Sequence, residues 1–313
     1  MKSFLLFLAL AGAAANVYAQ TIYSKTYGSK GHPPVIFIHG GPGGNAVQFE
    51  ATTAQRLADS GFYVIVYDRR GEGRSTDEKA TFTYQEAIED LQHIYRQYHL
   101  KKACIIGHSF GGLVSTLFTE KYPQKVQALV LAGALFAQQA TYDHILDSVS
   151  KICKEDTACL AKIATVAQLD HHSAAYRAGC FDIAGEHGFF KLSHPDAEAR
   201  DIYHAYKTGS LYQSNFRNRQ APLCFYQNEK RTNIDVRPVL KQLTQKLDIF
   251  AVYGRQDAIF SPAMLATVEQ ITGREHFLYL DNCSHYLYAD QQTPFLSAIT
   301  KWLRAEKMSH LYY

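Results

Sequence analysis

The pentapeptide Gly107-His108-Ser109-Phe110-Gly111 sets a serine between two glycines, after the apolar run Ala103–Ile106 and before a helical pattern from Gly111 to Tyr122. A strand that turns sharply into a helix holds the central side chain clear of the sheet, and the crowding leaves room only for glycine two residues to either side. A hydroxyl presented this way is a nucleophile that needs a base, because it gives up its proton poorly near neutral pH. Two later strand patterns, Ile249–Tyr253 and Phe277–Leu280, run into loops that carry partners, Gly254-Arg255-Gln256-Asp257 and Asp281-Asn282-Cys283-Ser284-His285. The order serine, acid, histidine, each after a strand, assigns Ser109 as nucleophile, His285 as general base and Asp257 as the carboxylate that orients the imidazole. Asp281 competes with Asp257, but it stands only four residues from His285 and is read as shaping the turn. His276 begins a strand pattern rather than following one.

A serine attacking a carbonyl creates an oxyanion that needs backbone N–H donors already aimed at it. The stretch VIFIHGGPGG, residues 35 to 44, ends a strand in a glycine-rich loop. The expectation is that Gly41 lends one N–H and Phe110, the residue after the nucleophile, lends the other. His39 is read as a structural hydrogen-bonding residue.

These groups must be carried by a scaffold. Strand patterns fall at Val35–Ile38, Tyr63–Tyr67, Ala103–Ile106, Ala128–Leu131, Ile249–Tyr253 and Phe277–Leu280, with Ile22–Tyr27 as a candidate antiparallel edge. Between them, the segment from Tyr84 to Tyr98 places Ala87, Ile88, Leu91, Ile94, Tyr95 and Tyr98 on one helical face, and Pro294 to Ala305 reads as a final helix. Strands alternating with helices predict an α/β protein: a mostly parallel sheet covered on both faces. The alternation stops between about Phe136 and Leu240, where the apolar spacing is helical throughout. A stretch this long is no ordinary loop, and it predicts a helical cap over the sheet. The expected organisation is therefore a core of residues 20–135 and 241–313 with a cap of residues 136–240.

Composition narrows the function. The chain has 313 residues, 47% hydrophobic and 19% charged, with a formal net charge of +3. No Lys/Arg run stands out, so no nucleic-acid surface is expected. The start, MKSFLLFLALAGAAANVYAQ, has a lysine, an apolar run from Phe4 to Ala15 and then small residues. It predicts a signal peptide of residues 1–19, a mature chain from Gln20, and export. No later segment is apolar enough to span a membrane. In an oxidising compartment Cys153 and Cys159 are candidates for a disulfide, whereas Cys104 lies in a strand pattern as a core thiol; Cys180 and Cys224 could also pair. No Cys/His spacing fits a zinc site, and no metal or organic cofactor is implied, because the triad and the backbone donors supply the chemistry.

On these motifs the chain resembles the α/β-hydrolase superfamily over nearly all of its mature length. Within it, HGGPG followed by Asp68-Arg69-Arg70-Gly71-Glu72-Gly73-Arg74-Ser75 is similar to the proline iminopeptidase family of serine aminopeptidases. The resemblance implies Ser109, Asp257 and His285 as catalytic residues, Gly41 and Phe110 as oxyanion donors, and removal of an N-terminal residue, often proline, from peptides. It implies a structural role for Asp68-Arg69-Arg70 below the site. The family receives the substrate's ammonium on cap glutamates, for which Glu186 is the first candidate here, with Asp182 and Glu229 behind it. The elbow departs from the family's G-G-S-W-G type toward the GHSFGG form common among esterases and lipases. The expected partner is thus a small peptide, with a carboxylic ester or lactone as the alternative. A serine at the elbow argues against chemistries of this fold that use a carboxylate nucleophile, and a complete triad argues against a noncatalytic binding protein.

Overall fold

The computed structural model describes residues 22–309, so the predicted signal peptide lies outside the described residues. Seven strands form one sheet: β1 Ser24–Tyr27, β2 Pro34–Ile38, β3 Tyr63–Tyr67, β4 Ala103–His108, β5 Val126–Ala132, β6 Asp248–Gly254 and β7 Phe277–Leu280. Their spatial order is β1-β3-β2-β4-β5-β6-β7. Only β1 runs antiparallel, pairing Ser24 with Tyr67 and Tyr27 with Val64 at one edge. From β3 to β7 every neighbouring pair is parallel, so the carboxyl ends of all six strands open on the same rim.

The apolar runs are continuous because both faces are covered. Ile36, Ile38, Ile65, Ile105, Leu129 and Leu131 share one core with the helices Tyr84–Gln97, Phe110–Lys121 and Pro262–Thr272. Val35, Phe37, Val64, Val66, Ile106 and Val130 face the other core, with Phe49 and Leu57 and with Phe295, Ile299 and Trp302 of the helix Gln292–Ser309. The helix Tyr84–Gln97 starts at Thr83, whose hydroxyl accepts the Glu86 N–H, while the Glu86 carboxylate accepts the Thr81 and Phe82 N–H groups. The Thr83 hydroxyl thus satisfies a donor that a helix start otherwise leaves unpaired, and the Glu86 carboxylate ties down the two residues before the cap.

Residues 47–59 form a helix with a π turn at Glu50–Ala54, for which the apolar spacing gave no signal. Buried Glu50 sits in that turn and takes the guanidinium of Arg74 at 2.6 Å and the hydroxyls of Tyr23 and Tyr27.

Between β5 and β6 lie six α-helices among the described residues: Gln138–Ile152, Thr157–Ala167, Ala174–Glu186, Ala197–Thr208, Ala221–Asn228 and Arg237–Leu243. The last of these packs on Phe110–Lys121 beneath the sheet, so the boundary predicted at residue 240 cuts through a helix of the core layer. A disulfide joins Cys153 to Cys159 across the turn between the first two helices, and His187 Nε2 lies 3.1 Å from the Cys153 sulfur. Cys180 and Cys224 are separate thiols, which corrects the pairing considered from sequence. Among the described residues, no helix is long and apolar enough to cross a membrane.

Candidate active site

Because the strands are parallel, each loop that follows one reaches the same rim, where ligands of such sheets bind. Ser109 follows β4 with φ 53° and ψ −124°, outside the regions open to ordinary residues, and it opens the helix Phe110–Lys121. Its carbonyl accepts the Gly112 and Leu135 N–H groups, each at 2.9 Å, which ties the elbow to the chain leaving β5. A side chain at Gly111 would run into the Ile38 carbonyl, and one at Gly107 into the Ser115 hydroxyl. Ser109 remains partly exposed while its neighbours on both sides are buried.

The loops after β6 and β7 are zipped together: Gln256 N–H donates to the Cys283 carbonyl, and Cys283 N–H to the Gln256 side chain, both at 2.8 Å. The zipper sets His285 Nδ1 2.8 Å from Asp257 Oδ2, with both side chains buried. A carboxylate only accepts, so Nδ1 carries the proton and Nε2 keeps its lone pair. Asp281, the competing acid, is an 83% exposed side chain paired with Arg255 at 2.5 Å and does not touch the imidazole.

His108 joins the two halves of the site. Its Nε2 lies 2.9 Å from the His285 carbonyl, and its ring centroid is 4.8 Å from that of His285. Burial, with the neighbouring His285 adding to it, pushes the His108 imidazole down to about 3. The ring is therefore neutral near pH 7, with the Nε2 proton donated to that carbonyl. His108 is a positioning residue that the motif displayed only as its variable letter.

His39 is also buried and neutral. Burial, then the Arg69 guanidinium, holds its imidazole well below the ordinary value. It accepts the Arg69 N–H at Nε2 (3.0 Å) and so donates from Nδ1 to the Gly40 carbonyl (2.7 Å). These two histidines set a stability profile. Unfolded imidazoles titrate near about 6.5, so below that pH the unfolded chain binds protons that the fold refuses. Stability should fall as pH drops from about 6.5 toward 3, by up to about 1.4 kcal/mol per pH unit for each histidine. Urea midpoints of His108→Gln should fall less steeply between pH 6.5 and 4 than those of the parent chain; an identical slope would mean His108 is not held neutral.

The glycine-rich loop after β2 is gripped from below. Arg69 donates to the His39 and Gly40 carbonyls at 2.6 and 2.8 Å and pairs through Nε with Glu72 Oε2 at 2.7 Å; Glu72 Oε1 accepts the Gly43 N–H. Asp68 holds Arg74 and the Ala46 N–H, and Arg70 holds Asp90. This is how the Asp68-Arg69-Arg70 stretch fixes the loop. Arg69→Met would leave the buried Glu72 carboxylate without its cation, and it should cost about 3–5 kcal/mol of unfolding free energy in urea. A midpoint equal to the parent's would show that the pair holds nothing.

Gly40 packs against the elbow: a side chain there would come within 3.0 Å of Ser109 Cβ. At Gly41, with φ 148°, the same position is filled by Arg69 Nη2 at 2.7 Å. Phe110, the other predicted donor, is the first residue of its helix, so its N–H has no intrahelical partner.

The structure does not bring Glu186 to this rim. It ends the helix Ala174–Glu186, its side chain is 55% exposed, and it pairs with Lys162 at 2.5 Å. Asp182 is exposed on the same helix. Glu229 accepts the Tyr84 and Arg231 N–H groups and so fastens the cap to a core helix. What the cap does deliver is Phe190, whose ring meets that of His285 edge-on at 5.5 Å, and Arg177, whose Nη2 donates to the Gly41 carbonyl at 3.1 Å. Helical spacing gave no sign of either: Arg177 lies on a helix whose aromatic and charged residues are spread round it, and Phe190 lies in the turn after that helix.

Comparison with known proteins follows the same lines. Residues 33–292 match the family described as alpha/beta hydrolase fold. A proline iminopeptidase of Arabidopsis thaliana is 29% identical over 129 residues, 39% of this chain and 32% of that protein. One from Elizabethkingia meningoseptica is 24% identical over 293 residues, 90% of this chain and 93% of its own. In the first three such relatives the match spans only about a third to two fifths of their length. Among solved structures, a proline iminopeptidase-related protein of Thermus thermophilus superposes with TM-score 0.66 and 21% identity, covering 91% of this chain and 93% of that one. With its elbow, its glycine-rich loop and a family match over most of its length, this chain belongs to the α/β-hydrolase family.

Proposed function

We propose that the chain is a serine hydrolase that forms an acyl-enzyme on Ser109, and that it removes the N-terminal residue, proline foremost, from small peptides. The observation that carries the hydrolase reading is the strained Ser109 turn on the same rim as the His285–Asp257 pair, with His108 linking them. Ser109 Oγ attacks the carbonyl carbon as its proton passes to His285 Nε2. The negative charge that forms on the carbonyl oxygen is held by the Gly41 and Phe110 N–H groups. Asp257 keeps Nδ1 protonated and stabilises the imidazolium. Collapse breaks the bond to the leaving group, which takes the Nε2 proton. Water then adds to the acyl carbon, giving its proton to Nε2, and the second collapse breaks the bond to Ser109 Oγ, which takes that proton back.

The peptide substrate is carried over from a relative that matches over 90% of this chain. A carboxylic-ester hydrolase is the second reading. It is favoured by the cap, which sets a cation, Arg177, on the glycine-rich loop and turns Glu186 outward. We also propose export; the Cys153–Cys159 disulfide suits an oxidising compartment.

Prolyl and alanyl arylamides, their N-blocked forms and short 4-nitrophenyl esters separate the two readings. Cleavage of the free-amine arylamides that is lost on blocking supports the peptidase. Turnover of esters with no free-amine arylamide cleaved assigns the ester hydrolase instead.

A further inference from the structure

Arg177 reaches from the cap helix Ala174–Glu186 to the Gly41 carbonyl. Its guanidinium carbon lies 4.8 Å from the centroid of the Phe181 ring, which stacks on Phe190 at 5.7 Å, and Phe190 meets His285 at 5.5 Å. The cation is thus held between the oxyanion loop and an aromatic wall that ends at the base. Below this loop three guanidiniums are neutralised: Arg69 by Glu72, Arg70 by Asp90, Arg74 by Asp68 and Glu50. Among the described residues, no carboxylate pairs with partly buried Arg177. Asp143, on the adjacent cap helix, accepts from Gln139 and Tyr176 instead.

A second cap segment brings a similar charge. Asn218 clasps the loop, its N–H donating to the Gly43 carbonyl at 3.0 Å and its side chain to the Gly71 carbonyl at 2.7 Å. The neighbouring Arg217, exposed and also without an acid partner among the described residues, adds slightly to what disfavours protonation of His39 and His108. A planar guanidinium with donors to spare, sheltered and lacking its anion, is the group that binds carboxylates in two-pronged fashion.

We propose that Arg177 receives a carboxylate of the substrate, so that this site acts on acyl compounds bearing a free carboxylate near the scissile carbonyl. The proposal rests on Ser109 being the nucleophile of a hydrolase. The carboxylate could lie on the acyl part, as in a half-ester of a dicarboxylic acid, or on the leaving part, as at the C-terminus of a dipeptide. In either position it meets the same guanidinium.

Two matched pairs distinguish these sources in the full chain: 4-nitrophenyl hydrogen succinate against 4-nitrophenyl butyrate, and prolyl-alanine against prolyl-alanine amide. The charged member of one pair should be preferred in kcat/KM by on the order of ten- to a hundredfold. Arg177→Gln should collapse that ratio and Arg177→Lys should restore part of it, because a residue that only pinned the loop would change both members alike. Preference in the first pair places the carboxylate on the acyl side, and in the second on the leaving side. No preference in either pair, or a ratio indifferent to Arg177→Gln, overturns the proposal while leaving the hydrolase reading intact. If nothing is turned over, the hydrolase reading fails and binding decides. Succinate titrated calorimetrically should bind Ser109→Ala at least about tenfold more tightly than the Ser109→Ala, Arg177→Gln double variant; equal or absent binding sinks the role of Arg177.

Discussion

Ser109→Ala should lose about six orders of magnitude in kcat on whichever acyl substrate the parent chain turns over, because the covalent route vanishes with the hydroxyl. The fold should be untouched. What holds the elbow is backbone: the Ser109 carbonyl bonds to Gly112 and Leu135, and the glycines beside it give room for the turn. An unchanged urea midpoint alongside lost turnover is therefore the expected pair of results. Intact mass after treatment with a fluorophosphonate adds a readout independent of substrate choice. The parent chain should gain a single adduct and the variant none, and adduct formation by the variant would move the nucleophile elsewhere.

Asp257→Asn should lower kcat by about four orders of magnitude with the geometry preserved. The carboxylate can only accept, so it fixes the proton on His285 Nδ1 at 2.8 Å and leaves Nε2 unprotonated, as the proposed transfer of the serine's proton requires. An amide can present its NH₂ to Nδ1 instead, which puts the proton on the wrong nitrogen and removes the charge that steadies the imidazolium. Asp281→Asn is the internal control. That side chain is exposed and paired with Arg255, so its loss should leave kcat within about twofold, as surface ion pairs contribute little. A large loss at Asp281 with little at Asp257 would reverse the assignment of the acid.

The contrast between these two acids shows how far sequence reading reached. Both follow strands and both stand near His285 in the chain or in space. Strand order favoured Asp257, and the cross-bonded loops after β6 and β7 are the physical cause that makes it the partner. Position along the chain says little where packing decides. Gly40 and Gly41 are indistinguishable as letters, yet a side chain at Gly40 would meet Ser109 Cβ while one at Gly41 would meet the Arg69 guanidinium. Glu186 stood beside aromatics in the sequence, and one of these, Phe190, does reach His285. The glutamate itself turns outward to Lys162, since a charged side chain at a helix end loses less by staying in water.

By itself the sequence determined the parallel sheet, the elbow and the loops that carry Asp257 and His285. Each is a local pattern, a buried strand followed by a turn, and parallel strands gather such turns on one rim whatever lies between them. Only the tertiary structure decided what covers that rim. The cap helices dock through contacts between residues far apart in the chain, and helical spacing states which positions are apolar but not which neighbour they meet. The link from His108 to His285 and the placement of Arg177 on the Gly41 carbonyl are long-range contacts of that kind, and no spacing rule encodes them.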